Sequence, residues 1–325
     1  MSSIILYLGL CLAGYIAAVP LRKYSSYMGW HGKTQNMIVL LLVFTMGLRV
    51  GANEEVIENL GTYGLYSLAF TFFVFLFSVF ACSVARRMVG IDRYGNVVDR
   101  KAGGFSDADK KEKDGSKSFQ LNPFTVLIAV SVGLGLLAGF MVLRLQILDS
   151  LVVESAAGTA ISVELCTLLV LVGLDMGLAG EVVSNFKKAG LRVLIIPLSV
   201  MAGTLAGACV TGILLPLGIK ESLAIGAGLG WYSLGAGILM DNGMVTAGAI
   251  SFMHNIMREF FSLLLIPVIA EKIGYVEAVA LPGSTAMDVC LPVVARSTNG
   301  NVAVYSFISG VLLSAAVPVI VPMFL

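Results

Sequence analysis

The sequence has little charge: only 13% of its 325 residues are Asp, Glu, Lys or Arg, whereas 58% are hydrophobic and the mean hydropathy is +0.92. Soluble domains are about 25% charged and about 45–50% apolar, so a soluble globular protein and a disordered chain are both excluded. A net charge of +1 provides no basic surface for a polyanion, so no nucleic-acid partner is expected. The composition predicts an all-α integral membrane protein.

Motifs for redox, metal or nucleotide chemistry are also missing. Five cysteines lie in five separate apolar segments without a Cys-x-x-Cys spacing, which argues against a disulfide framework and against a zinc site. There is no catalytic dyad, no nucleophile motif and no nucleotide-binding motif. We therefore expect a protein that is not an enzyme, needs no cofactor and does not use ATP.

Long apolar runs predict about eight transmembrane helices, because roughly 20 apolar residues cross a hydrocarbon core about 30 Å thick. The predicted spans are 4–19, 37–50, 65–84, 123–143, 160–178, 191–217, 246–270 and 302–325. Residues 224–243 and 279–294 are broken by glycine or proline and carry an acidic residue. We interpret both as discontinuous or re-entrant segments, since non-helical backbone at membrane depth must line protein or water.

Basic residues fix the predicted orientation, because Lys and Arg accumulate in cytoplasmic loops. The loops after the first, third and fifth spans are basic, and residues 86–117 alone hold 15 of the 41 charged residues. Both termini are therefore expected outside a cytoplasmic (inner) membrane. The predicted units are a first transmembrane repeat at 1–85, a charged cytoplasmic loop at 86–120, a second repeat at 121–218 and a transport region at 219–325.

An internal repeat supports that division. Residues 46–65 and 172–191 share eight of 20 positions at an offset of 126, and residues 8–15 resemble 134–140 with one residue deleted. Each copy has three spans, so the second copy must enter the membrane with the opposite orientation. Inverted-topology repeats are typical of secondary transporters, whose binding site lies between the repeats near the membrane midplane.

Acidic side chains outnumber basic ones in and beside the apolar segments, which favours a cationic substrate or protons over an anion. In the span at 246–270, Ser251, Asn255 and Glu259 follow one another at intervals of four and form one polar stripe that lipid cannot satisfy. Glu259 either binds a cation or a proton, or makes a structural bridge to an arginine of another helix.

The two broken stretches and the end of the second span supply the other candidates. Six glycines between positions 226 and 243 permit the dihedral angles that a broken helix needs, and the exposed half-helix ends can then meet charged groups. Trp231 and Tyr232 form either a cation–π wall or an interfacial aromatic pair. The remaining candidates for binding substrate or protons are Ser233, Asp241, Ser284, Thr285, Asp288, Glu54 and Glu55.

Several of these residues stand in recognisable motifs. They are GLGWYSL at 228–234, N-x-x-R-E at 255–259 followed by LLLIP at 263–267, and GSTAMDVCLPV at 283–293. With the MGLRV run at 46–50, they make nearly all of the membrane part similar to the bacterial L-lysine exporters of the LysO type.

That resemblance implies export of L-lysine and of toxic lysine analogues by exchange with protons, through eight spans with both termini outside. It also implies functional carboxylates, which fall by motif position on Glu54, with Glu55 beside it, and on Glu259. The expected partners are L-lysine or a similar cationic amino acid, protons and the lipid bilayer, and a homo-oligomer is left open. The alternative is an inorganic cation/proton antiporter without an organic substrate, which the same carboxylates would serve.

Overall fold

The structure, a computed structural model, describes residues 2–21, 30–97, 123–146, 149–179 and 190–325. Within these residues the chain is helical and contains no β-strand, apart from one isolated antiparallel bridge between Ile91 and Val97. The all-α prediction is therefore confirmed for the part of the chain that the structure describes.

Helices of membrane length dominate the first two thirds of the chain and return near its end. The longer helices are α1 (Ser2–Leu21), α2 (Trp30–Gly51), α3 (Glu54–Met88), α4 (Pro123–Arg144), α5 (Ser150–Ala179), α6 (Ile195–Leu214), α9 (Val245–Lys272) and α12 (Gly300–Ile320). The shorter helices are α7 (Ile219–Gly226), α8 (Tyr232–Asp241), α10 (Tyr275–Ala278) and α11 (Leu291–Ser297). Single 3₁₀ turns cover Gly190–Leu194, Gly283–Met287 and Val321–Phe324.

Seven stretches in the described residues are long and apolar enough to cross a membrane, in α2 to α6, α9 and α12. The apolar part of α1 found among the described residues, Leu12–Leu21, is shorter. The chain is a multi-pass membrane protein. Three predicted spans began too late: α2 begins at Trp30 instead of residue 37, α3 at Glu54 instead of residue 65, and α5 at Ser150 instead of residue 160. Polar residues inside these helices, such as the fully buried Gln35, concealed their true length.

Close helix contacts through glycine hold the first helices together. A Cβ atom added at Gly135 of α4 would lie 2.1 Å from the Phe44 carbonyl oxygen of α2, and one added at Gly51 of α2 would lie 2.3 Å from the Leu136 carbonyl oxygen. The helix pair α1 and α5 makes the same kind of contact where Gly14 meets the Val170 carbonyl. Small residues let membrane helices approach closely, so α1, α2, α4 and α5 form one packed group, which we call the scaffold group.

In the third pair, α3 packs against α6 through residues at equivalent positions of the two predicted repeats. Ser78 Oγ and Thr204 Oγ1, 126 positions apart, are hydrogen-bonded at 3.1 Å. An added Cβ at Gly203 would lie 2.6 Å from the Phe77 carbonyl oxygen, and these positions also differ by 126. The two predicted repeats relate α1 to α4, α2 to α5 and α3 to α6. Interchanging them turns the pair α1–α5 into the pair α2–α4 and leaves the pair α3–α6 unchanged. The inverted orientation of the repeats stays a prediction.

The remaining helices pack around α9, which contacts α3, α7, α8, α10 and α11. We call α3 and α6 to α12 the core group. Both stretches that the sequence analysis interpreted as discontinuous are interrupted: α7 ends at Gly226 before α8 begins at Tyr232, and α10, the 3₁₀ turn at Gly283–Met287 and α11 are separate pieces. Whether either stretch crosses the membrane stays a prediction.

The start of the charged loop folds back onto the core group. The Arg86 Nε atom donates to Glu277 Oε1 at 2.8 Å, in a pair whose Glu277 side chain is fully buried. Tyr305 of α12 donates its hydroxyl proton to the Gly95 carbonyl at 3.0 Å. The helix α3 runs to Met88, beyond the predicted boundary at residue 85. Residues 98–120 of the predicted loop lie outside the described residues.

Candidate functional site

A cavity of about 240 Å³ lies where the scaffold group meets the core group. Ten residues line it: Met46, Arg49, Val50, Asn53, Glu154, Tyr232, Phe252, Ile256, Glu259 and Phe260. Its volume is below the roughly 300–1,000 Å³ of pockets for drug-sized ligands. The cavity therefore suits a molecule of the size of an amino acid or an ion.

Glu259 is the deepest acidic residue of this cavity. Its side chain is only 4% exposed, and the two residues before it in the polar stripe of α9, Ser251 and Asn255, are fully buried. In the described ranges no hydrogen bond or ion pair reaches the Glu259 carboxylate. No ion pair joins Glu259 to an arginine of another helix within these ranges, and its neighbour on α9, Arg258, contacts backbone carbonyls. Glu259 thus faces the cavity without a direct ion-pair partner among the described residues, and the Arg49 guanidinium is within electrostatic range of it.

Asn255 and Ser251 serve the backbone of the first interruption and do not line the cavity. The backbone N–H of Gly230 donates to Asn255 Oδ1 at 2.8 Å, and Asn255 Nδ2 donates to the Ser251 carbonyl at 2.9 Å. Ser251 donates from its hydroxyl to the Ile225 carbonyl at 3.3 Å. The bond from Gly230 satisfies a buried backbone N–H in the break that follows α7.

The two interrupted stretches touch each other at their breaks. The Leu229 carbonyl accepts from both the backbone N–H of Ser284, at 2.8 Å, and its hydroxyl, at 3.0 Å. The backbone of Gly230, at φ +105°, comes so close to Pro282 that a Cβ would lie 2.7 Å from its carbonyl oxygen. Thr285 donates to the same Pro282 carbonyl at 3.3 Å. Ser284 and Thr285 therefore bind backbone where the chain breaks.

Arg258 completes the second interruption. It is fully buried, and it donates from Nε to the Leu281 carbonyl at 2.8 Å and from Nη2 to the Ala280 carbonyl at 3.3 Å. Four positions earlier, His254 Nδ1 is hydrogen-bonded to the Thr71 hydroxyl at 3.0 Å. Both members of this pair on α9 hold other segments of the core group in place.

Tyr232 and Asp288 are the other predicted residues near Glu259. Tyr232 lines the cavity with its ring edge-on to Phe252, at 5.8 Å between the ring centroids, and its hydroxyl lies beside the Arg49 guanidinium. Asp288 follows the 3₁₀ turn, accepts the backbone N–H of Val289 at 2.7 Å and lies within electrostatic range of Glu259. The structure thus brings parts of both interrupted stretches toward the acidic residue of α9.

The other predicted residues lie away from the cavity wall. Trp231 is partly buried and packs against the hydrophobic core, whereas Ser233 and Asp241 are exposed on α8. Glu54 is exposed at the first position of α3, directly after the cavity residue Asn53. The side chain of Glu55 lies outside the described residues.

The sequence analysis missed the ion pair on the opposite wall. Arg49 Nη2 of α2 and Glu154 Oε1 of α5 are 3.4 Å apart, and their side chains are 33% and 40% exposed. Arg49 was recognisable as a basic residue at membrane depth but lacked a visible partner. Glu154 fell outside the predicted fifth span because that span was started ten residues too late. Asn53 was missed because its neighbours Glu54 and Glu55 carry the stronger charge signal.

Comparison with known proteins finds one matching family and two similar proteins. The family model described as "Lysine exporter LysO" matches residues 119–325. "Lysine exporter LysO" of Escherichia coli (strain K12) is 29% identical over 189 residues, which cover 58% of this chain and 62% of that protein. A protein of Haemophilus influenzae named "Putative lysine exporter" is 30% identical over 121 residues, covering 37% of this chain and 62% of that protein.

The matches cover less than two thirds of either relative, whereas the family model covers more than half of this chain. The matched range, 119–325, includes α9 with Glu259 and both interrupted stretches. The chain therefore belongs to the lysine exporter LysO family.

Proposed function

We propose that the chain is a secondary transporter that exports L-lysine, or a related cationic amino acid or analogue, across the cytoplasmic membrane in exchange for protons. The names of the family and of both relatives support lysine as the cargo. The excess of carboxylates over basic groups at membrane depth supports a cationic cargo. In the proposed topology both termini lie outside, because the basic loops belong on the cytoplasmic side.

The observation that carries the proposal is the buried Glu259 carboxylate at the cavity wall. A charged group inside a membrane protein is costly unless a partner compensates it. In the described part of the chain Glu259 has no hydrogen-bonded or ion-paired partner, and Arg49 acts on it only at longer range. A proton or a visiting cation would therefore complete the compensation of its charge. A group with these two states, each excluding the other, is what proton/cation exchange requires.

The position of the cavity supports transport in addition to binding. Arg49 and Glu154 belong to the scaffold group, whereas Tyr232 and Glu259 belong to the core group. Each group is held together by its own helix contacts. A relative movement of the two groups would therefore open the cavity toward one side of the membrane and close it toward the other, without unfolding either group.

The proposed cycle begins with ionised Glu259 pairing with the side-chain ammonium group of lysine from the cytoplasm. After the cavity opens outward, a proton from outside neutralises the carboxylate and the ion pair is lost, so lysine leaves. The protonated cavity returns inward and releases the proton. Export of one cation works against about 2.3 kcal/mol per 100 mV of membrane potential, which the inward movement of protons offsets.

The experiment that tests this function uses purified protein in proteoliposomes loaded with a pH-sensitive dye. We expect lysine added on one side to drive proton movement in the opposite direction, and an imposed pH gradient to drive accumulation of radiolabelled lysine. Sodium should cause no proton movement. Proton movement with sodium and not with lysine would contradict the proposal and favour an inorganic cation/proton antiporter.

A further inference from the structure

The ion pair between Arg49 and Glu154 has features of a binding site more than of a structural bridge. The two side chains are joined by one contact of 3.4 Å and stay 33% and 40% exposed. Both side chains line the cavity. Their single contact is weaker than the two short parallel hydrogen bonds that an arginine can make to a carboxylate. This loose geometry leaves further donors of Arg49 and acceptors of Glu154 for a ligand in the cavity.

The pair stands across the cavity from a further negatively charged residue. Arg49 and Glu154 come from the scaffold group, and Glu259 comes from the core group. The Tyr232 hydroxyl lies beside Arg49 and within electrostatic range of Glu259, so the two charged walls face the same small volume. One wall thus presents a positive and a negative group side by side, and the other presents a negative group alone.

This pattern matches the charges of a free dibasic amino acid. Its α-carbon carries a carboxylate and an ammonium group, and its side chain ends in a second cation. We propose that Arg49 binds the α-carboxylate and Glu154 the α-ammonium group, while Glu259 takes the side-chain cation. The proposal rests on the proposed function and deepens it: the site recognises the whole amino acid and not only a positive charge.

The empty and occupied states explain why both charges belong at this wall. Without a ligand, Arg49 and Glu154 compensate each other through their single contact. When the amino acid binds, that contact is exchanged for two charge-assisted hydrogen bonds to the ligand, which are stronger than neutral ones. A ligand that lacks one of the two α-groups leaves either Arg49 or Glu154 without a ligand partner. Binding sites discriminate strongly against ligands that leave such a group unpaired.

Two analogues of lysine isolate the two contacts. 1,5-Diaminopentane lacks the α-carboxylate, and 6-aminohexanoate lacks the α-ammonium group, but both keep the terminal amine. We would measure the inhibition of radiolabelled lysine exchange in proteoliposomes by lysine and by each analogue. In the wild-type protein each analogue should inhibit about 10- to 100-fold more weakly than lysine, the range expected for loss of one hydrogen bond to a charged group.

Variants assign each contact to its residue. In Arg49→Gln the preference for lysine over 1,5-diaminopentane should fall to within about threefold, whereas the preference over 6-aminohexanoate should persist. In Glu154→Gln the preference over 6-aminohexanoate should fall, whereas the preference over 1,5-diaminopentane should persist. A structural role would weaken all three ligands equally. Arg192→Gln, at an exposed position in the 3₁₀ turn that precedes α6, serves as the control.

The outcomes separate this inference from the proposed function. Wild-type protein that exchanges lysine and is inhibited equally by all three compounds would overturn the inference alone, and so would variants with unchanged preferences. Wild-type protein that exchanges no lysine would overturn both. Because the wild-type comparison requires no substitution, a variant that fails to fold does not prevent the test.

Discussion

The backbone N–H of Gly230 donates to Asn255 Oδ1 at 2.8 Å, so one buried side chain of α9 holds the break between α7 and α8. Glu259 lies four positions further along the same face of α9. The segment that touches Pro282 and Ser284 is therefore fastened to the helix that carries the cavity carboxylate. This connection makes the stability of the break and the position of Glu259 interdependent.

Replacing Asn255 by Ala should destabilise the protein and slow transport together. The substitution leaves the buried Gly230 N–H without its acceptor, which costs about 1–3 kcal/mol. Thermal unfolding in detergent measures the first effect and lysine exchange the second. The control is Asn242→Ala, because Asn242 is exposed and its side chain donates to the Ile238 carbonyl within its own turn of helix. Equal unfolding midpoints for the two variants would contradict the proposed role of Asn255.

Arg258 should be required for folding more than for substrate affinity. Arg258→Ala leaves the Leu281 and Ala280 carbonyls without their donor, and we expect a loss of about 1–3 kcal/mol for each buried group left unpaired. Arg258→Lys keeps the charge but not the planar fork, so its unfolding midpoint should lie between those of Ala and wild type. Arg192→Ala is the exposed control. An Arg258→Ala protein of wild-type stability would show that the carbonyl contacts are dispensable.

Replacement by alanine should change the stability of the protein differently at Gly133 and at Gly135, two positions apart on α4. Gly135→Ala places a Cβ 2.1 Å from the Phe44 carbonyl oxygen, so α2 and α4 must separate at a cost of about 1–3 kcal/mol. Gly133 has no atom within 4 Å of such a Cβ, so Gly133→Ala should be neutral or stabilising by up to about 1 kcal/mol. Thermal unfolding of both variants in one detergent checks the difference, and a reversed order would refute the packing of α2 on α4.

The buried pair of Arg86 and Glu277 should show strong coupling in a double-mutant cycle. Glu277 is fully buried, and removing only one member of a buried pair costs about 3–5 kcal/mol, because the other charge stays unpaired. Glu277→Leu and Arg86→Met should therefore each destabilise the protein strongly, and the double variant should regain part of the loss. Additive effects in chemical unfolding would mean that the two charges do not interact.

Much of the fold was predictable from the sequence, because long apolar runs and glycine-rich breaks report directly on membrane helices and their interruptions. The stripe of Ser251, Asn255 and Glu259 was predictable for the same reason: spacing by four on one helix fixes a common face. Their burial matches the expectation that lipid does not contact them. Of the three, Glu259 lines the cavity, whereas Ser251 and Asn255 bond to the backbone of the first interruption. This difference depends on how the interrupted stretches pack against α9, which spacing alone does not reveal.

The opposite wall was not predictable, because it joins residues that are 105 positions apart in the chain. Arg49 and Glu154 lie on two helices whose contact depends on how α2 packs between α4 and α5. A hydropathy window also shortens a helix that begins with polar residues, and this removed Glu154 from its span. Pairings between distant helices are set by close packing, for which a single sequence carries no direct signal.

The most direct test of the account is lysine exchange by Glu259→Gln in proteoliposomes. Glutamine keeps the size of the side chain but offers neither a negative charge for the ammonium group nor a site that gains and loses a proton. Glu271→Gln is the matched control, since Glu271 is an exposed glutamate on the same helix, with a side chain 49% exposed. We predict that lysine-driven proton movement is abolished in Glu259→Gln and preserved in Glu271→Gln. Wild-type exchange and proton movement in a folded Glu259→Gln protein would contradict the account.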